Sequence, residues 1–295
     1  MKGVFIITNN LLNTFKNMGH DNKKYVWLDS ILYVKKIFAP KTNELWTDSV
    51  TFISVFNQGQ NLLQSDILHI NATDFYTAAL NKNQDVWISL KKKKPRIIVK
   101  QLLNWKEPID LLIEVLKGIK ITYPTIPIIM EINSPKKWIK LISKLSDQEV
   151  NITFDELEII SMYLTKNLRE FSMSGISGIV LSEENNNDSN DNHLESYKPI
   201  NNIANHFEWL SGMYYNNNCI NMRGIESFDF CIFDNNGYTD IQTMRKKGIL
   251  SYGGLNNEFW LGNSAHFLEK ESGLFFGRIP EESNPEMVLS QLKLL

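Results

Sequence analysis

The chain has 295 residues, 43% of them hydrophobic and 22% charged, with a formal net charge of −2. That balance is ordinary for a globular protein, and without a basic footprint it argues against nucleic acid as the main partner. Two cysteines make no disulfide framework, so buried free thiols in a reducing, cytoplasmic setting are expected, and no apolar run reaches the length of a signal core or membrane span.

In chain order, Asn9–Met18 places Leu11, Leu12 and Phe15 at helical spacing. Lys23–Leu28 reads as a strand running through Val26 and Trp27 into a helix over Asp29–Phe38, which Pro40 ends. Asn43–Gln60 has a near-helical apolar period. Asn61–Ser65 then reads as a short buried strand ending at Asp66, with His69 three residues on. Asn71–Arg96 is polar and irregular, a long excursion containing at most a hairpin. The basic run Lys91–Lys94 within it reads as a solvated loop.

Trp105–Lys120 carries a clear apolar stripe and is helical. Ile126–Ile132 is a strand stopped at Asn133-Ser134-Pro135, and Lys136–Leu145 a helix. Thr153–Met173 is a further helix, with Thr153 and Glu156 at capping-box spacing. Ser177–Leu181 is a strand. Glu183–Glu195 is an Asn/Asp-rich insert containing His193, a loop by composition. Tyr197–Tyr215 reads as a helix with Pro199 in its first turn, and Cys219–Met222 as a strand ending at Arg223. Ser227–Asp234, the helical run Ile241–Lys247 and Gly248–Asn256 form a strand–helix–strand unit. Gly273–Gly277 is the last strand, ending at Arg278, and Glu286–Leu295 the closing helix.

About seven short strands alternating with helices specify a parallel sheet covered by helices. The expected fold is α/β, one distorted (β/α)8 TIM-type barrel spanning residues 1–295 as a single domain. No glycine-rich phosphate loop follows any strand, which counts against an open nucleotide-binding sheet. In a barrel the strands' C-terminal ends converge on one mouth. That face gathers Asp66, Ser134, Glu183, Glu184, Arg223, Asp234, Tyr252-Gly253-Gly254 and Arg278, with no histidine. Asp234 either serves that face or caps the next turn. None of the five histidines stands at metal-ligand spacing from another His or Cys, so no metal site is expected.

The ordered segments Tyr25-Val-Trp27, Ser65-Asp66-Ile67-Leu68, Ile126-Pro127…Ser134-Pro135, Gly178-Ile-Val-Leu-Ser-Glu183 and Gly277-Arg-Ile-Pro-Glu-Glu-Ser-Asn-Pro-Glu286 resemble the uroporphyrinogen decarboxylase family of cofactor-free barrel enzymes. The resemblance implies a carboxy-lyase of haem biosynthesis that decarboxylates porphyrinogen acetate side chains, with no cofactor, a carboxylate-bearing ligand and a homodimer. It implies Asp66 as the catalytic carboxylate, and it places Trp27 and Lys35 beside the substrate. Arg223, Asp234 and Arg278 are the strand-end groups added to that binding set.

The chain departs from the family at several places. The family's two substrate-binding arginines fall at Ser30 and Val34, its tyrosine near Leu141, its serine near Glu184 and its last-strand histidine at Arg278. Lysines such as Lys35 and Lys36 are not bidentate replacements for arginine. These losses leave a second expectation open, a non-catalytic barrel of the same descent that binds a ligand or partner. The superfamily's zinc-binding His-x-Cys is replaced by Asn221-Met222-Arg223-Gly224, which disfavours zinc-dependent methyl transfer. Arg278 is expected either at the mouth or in a surface pair with Glu281 or Glu282.

Overall fold

The computed structural model describes residues 15, 23–183, 193–215, 224–234, 238–263 and 272–295. Eight strands are present among them: β1 (Lys24–Asp29), β2 (Ile67–Asn71), β3 (Ile128–Asn133), β4 (Gly178–Glu183), β5 (Leu210–Tyr215), β6 (Phe230–Phe233), β7 (Ser251–Gly253) and β8 (Gly273–Arg278). They pair in parallel in the order β7-β6-β5-β4-β3-β2-β1-β8. A single bridge between Gly254 and Phe276 brings the two edges together. The result is the expected α/β barrel of TIM type.

Parallel neighbours need long crossovers, and helices supply them. α1 (Ile31–Phe38) and α2 (Ser49–Leu63) follow β1. α3 (Ala72–Lys82), α4 (Gln84–Leu90), α5 (Pro95–Leu102) and α6 (Lys106–Thr122) follow β2. α7 (Pro135–Ser146) and α8 (Phe154–Arg169) follow β3, and α9 (Lys198–His206) precedes β5. α10 (Tyr238–Lys246) joins β6 to β7, α11 (Asn257–Trp260) lies between β7 and β8, and α12 (Pro285–Leu292) comes last.

Side chains alternate across each strand. Outward residues such as Leu28, Ile70, Met130, Leu181, Met213, Phe233 and Phe275 join the helices in the larger core. Inward residues fill the bore: Trp27, Ile67, Ile129, Val180, Leu210, Tyr214, Phe230, Ile232, Tyr252, Leu274 and Phe276, with Phe15 among them. Aromatic rings dominate this plug. Phe15 lies 5.7–6.0 Å from the rings of Trp27, Phe230 and Tyr252, and its carbonyl accepts the Tyr252 hydroxyl at 3.1 Å. Two glycines make the packing possible. A Cβ on Gly212 would stand 2.3 Å from the Phe230 ring, and one on Gly277 would stand 2.4 Å from Leu255 across the β7–β8 seam.

Three expectations are corrected. Residues 61–63 end α2 and β2 begins at Ile67, so Asp66 stands before its strand and not after it. Residues 71–96 are no irregular excursion: Asn71 caps α3 by accepting from the Thr73 amide, and α4 follows. Tyr197–Tyr215 is not one helix. α9 stops at His206, Glu208 turns the chain with φ of 57°, and Leu210–Tyr215 is β5. The short α11 had no sequence counterpart. Thr153 does cap α8, accepting from the Glu156 amide at 3.3 Å. The helix at Asn9–Met18 apart from Phe15, the strand Cys219–Met222, Arg223 and residues 184–192 of the insert lie outside the described residues.

Candidate active site

The same alternation that fills the bore sets the mouth. Past the apolar inward residues, the next inward position on several strands is polar: Asp29 after Trp27, His69 after Ile67, Glu131 after Ile129, Ser182 after Val180, Asp234 after Ile232 and Arg278 after Phe276. All of these are buried except Arg278, whose side chain is 35% exposed. Register places Asp29 directly beside Arg278 on adjacent strands.

Arg278 is held on three sides. Its Nε donates to Asp29 Oδ2 at 2.6 Å and its Nη2 to Glu131 Oε2 at 3.4 Å. Its guanidinium carbon lies 5.0 Å over the Tyr214 ring. None of the described residues accepts a hydrogen bond from Nη1. The Tyr214 hydroxyl donates to Asp234 Oδ2 at 2.9 Å, and the Arg278 amide donates to Asp234 Oδ1 at 3.3 Å. Burial pushes the Asp234 carboxyl up, although Arg278 and the tyrosine bond pull against it. Burial also pushes the Tyr214 phenol far up, so it remains a donor.

His69 Nε2 lies 2.9 Å from Glu131 Oε2 and 3.9 Å from Asp29 Oδ2. On its other side the Trp27 indole nitrogen lies 3.2 Å from Nδ1. An indole N–H can only donate. Nδ1 is therefore the acceptor, and the ring proton sits on Nε2, aimed at Glu131. Burial lowers the imidazole's proton affinity, but Asp29 and Glu131 outweigh it and raise the group overall. A second proton would have to displace the Trp27 bond, so the geometry favours the neutral ring. Burial would raise Glu131, yet the His69 bond and the charges of Arg278 and Lys137 hold its carboxyl well below the usual range.

Asp29, His69 and Glu131 bring three ligand-type atoms within 4.8 Å of one another. Their chemistry does not suit a metal. A cation at Nε2 would need the proton on Nδ1, where Trp27 already donates, and both carboxylates are occupied by the guanidinium.

Asp74, at the start of α3, completes the described mouth. Burial and the charges of Asp29 and Glu131 raise its carboxyl to about 7, against the pull of Arg278. On the β4 side, Lys137 Nζ donates to Ser182 Oγ at 2.5 Å. Beyond it lies a separate buried group, in which the Tyr197 hydroxyl donates to Glu183 Oε2 at 2.6 Å and His193 Nε2 stands 3.4 Å from the same oxygen.

No family model matches the sequence, and a search of curated proteins gives no match either. Among solved structures, a methyltransferase from Methanosarcina mazei superposes with a TM-score of 0.62 over 97% of this chain and 97% of its own, at 11% identity. That likeness shows a shared barrel fold. None of the described helices is long and apolar enough to cross a membrane.

The residues expected from sequence separate in space. Arg278 and Asp234 meet at the mouth. Asp66 lies at the opposite rim: its amide donates to the Val26 carbonyl at 2.8 Å, and its Oδ2 accepts from the Val26 amide at 2.7 Å. Asp229, one residue before β6, makes the same pair of bonds with Ser211. Asp66 is thus placed as a clasp between strand starts. Trp27 is wholly buried, its indole nitrogen donating to His69. Lys35 lies in the outer layer, its ammonium 5.3 Å over the Trp46 ring. Lys36, and not Arg278, pairs with Glu282.

Sequence reasoning excluded histidine from the mouth, and His69 corrects that. It also passed over Asp29, Asp74, Glu131 and Tyr214. The available signal was a charged residue inside an apolar strand, as in Ile128-Ile-Met-Glu-Ile132 and Ile67-Leu-His-Ile70, since such groups are seldom buried unpaired.

Proposed function

We propose that the chain is a cofactor-free carboxy-lyase for a small organic acid. The observation that carries this reading is Arg278, fixed by Asp29, Glu131 and Tyr214 with Nη1 left over among the described residues. A guanidinium so mounted does not reorganise when negative charge develops beside it. On this reading it holds the carboxylate or carbonyl that stays on the substrate, where charge grows as a neighbouring carboxylate departs as CO2. The surplus of acids around it, Asp29, Asp74, Glu131 and Asp234, crowds the group that leaves.

This differs from the substrate that the sequence resemblance implies. A porphyrinogen with eight carboxylates would meet more acids than cations at the described mouth, and Asp66 lies at the far end of the barrel. The test is anaerobic incubation with phenylmalonate and, separately, with uroporphyrinogen. CO2 release from phenylmalonate is expected, with no coproporphyrinogen; coproporphyrinogen formation would restore the haem-pathway reading. Arg278→Met should weaken phenylacetate binding by about 10- to 100-fold, the worth of a charged hydrogen bond. It should also destabilise the fold, because Asp29 and Glu131 lose their shared cation.

One observation favours the second reading, a non-catalytic ligand-binding barrel. Apart from Arg278 Nη1, the Asp29–Arg278–Glu131–His69 network already satisfies itself, which leaves Nη1 to hold a ligand and none of the four side chains free to move a proton. Phenylacetate binding without CO2 release from either acid would support it.

A further inference from the structure

We infer that Asp74 is the proton-exchanging acid of the mouth, and that a carboxylate bound at Arg278 is taken up together with a proton on Asp74. The inference rests on the carboxylate reading of Arg278 and deepens it.

Its basis is a difference in bonding among four acids. Asp29 accepts from Arg278, Glu131 accepts from His69 and Arg278, and Asp234 accepts from Tyr214 and the Arg278 amide. Asp74 accepts a hydrogen bond from none of the described residues. It does not cap its own helix, because Asn71 Oδ1 takes the Thr73 amide. A half-buried carboxylate with no donors, facing two other carboxylates, is the one that water and neighbours stabilise least.

The groups that face it are Asp29 on β1, Glu131 on β3, Arg278 on β8 and the neutral His69 ring on β2. Burial and the two acids raise its proton affinity, Arg278 lowers it, and the balance lies at about 7. A carboxylate seated on Arg278 adds a third negative charge and screens the guanidinium. The proton affinity of Asp74 then rises further. By linkage, anion affinity falls as pH increases above neutrality.

The same proton serves chemistry. When CO2 leaves, the electron pair of the broken C–C bond stays on carbon. The Asp74 proton moves to that carbon to form the new C–H bond, and the carboxylate left behind recovers a proton from water.

The experiment is titration calorimetry with phenylacetate in two buffers of different ionisation enthalpy, at pH 6 to 8.5. Wild type should take up about half a proton near pH 7.5, with affinity declining above that pH. Asp74→Asn should bind with no proton uptake and a flat profile. Binding by wild type without uptake overturns the inference and leaves the Arg278 reading intact. Absence of binding by wild type overturns the Arg278 reading instead. In that case carboxyl carbon-13 titration of the free protein decides: a signal lost in Asp74→Asn with a midpoint near neutrality supports Asp74 as the exchanging group, and a midpoint near an ordinary ~4 overturns it.

Discussion

At Asp74 the folded chain holds a charge that the unfolded chain holds more easily. Its carboxyl is raised from an ordinary 3.8 to about 7. The sign is therefore opposite to that of a salt-bridged acid. Below the unfolded value both states are protonated and nothing is lost; as pH rises from there to 7 the folded state is progressively penalised. At about 1.4 kcal/mol for each tenfold change in proton affinity, with some relief from solvent at its open side, the penalty above pH 7 is ~2–4 kcal/mol. Asp74→Asn should thus raise urea stability at pH 8 and much less at pH 4.5. Equal gains at both would remove the strain from this residue. Glu131 behaves the other way. Its depressed carboxyl contributes stability above the usual glutamate range, and that contribution is lost as pH falls toward the folded value. Arg278 and Asp234 were legible in sequence because each ends an apolar run. Asp29 and Glu131 were not, because their pairing joins strands far apart in the chain, and Asp74 was hidden by a helix read as an irregular excursion.

At the scale of elements, β2 and β6 begin in the same way. Each is preceded by an aspartate that both donates to and accepts from the strand beside it, Asp66 with Val26 and Asp229 with Ser211. Each clasp orders the start of a short strand. Asp66→Ala should lower stability by about 1 kcal/mol and leave phenylacetate affinity unchanged, with Asp229→Ala alike; a selective loss of binding in Asp66→Ala would return that residue to the mouth. Helices with strong stripes or caps, such as α6 and α8, were readable from period and spacing. β2 and β5 were not. The strand expected at Asn61–Ser65 is instead the end of α2, and Ile67–Asn71, which forms β2, carries no strand signal of its own beyond the short run around His69. Trp209-Leu-Ser-Gly-Met-Tyr-Tyr215 runs straight on from a helix, and only the left-handed turn at Glu208 separates the two.

Across the whole molecule the barrel is not uniformly closed. β1 and β8 pair over six residue positions, whereas β7 meets β8 through the Gly254–Phe276 bridge and the Leu255 amide on the Phe276 carbonyl. Gly277 allows the close approach there, but few backbone bonds secure it. Local opening should therefore begin at this seam. Amide exchange in β7 is expected to run well ahead of that in β3, β4 and β5; uniform protection around the barrel would contradict an uneven closure.

Arg278 reaches back from the last strand to acids on the first and third. During synthesis Asp29 and Glu131 are made long before the guanidinium that neutralises them. A growing chain that has built seven strands holds two carboxylates above the plug without the guanidinium that joins them, and that arrangement resists being dried out. Final burial of the mouth must wait for β8. The charge that equips the barrel for an acid thus also marks the moment at which the chain becomes able to close.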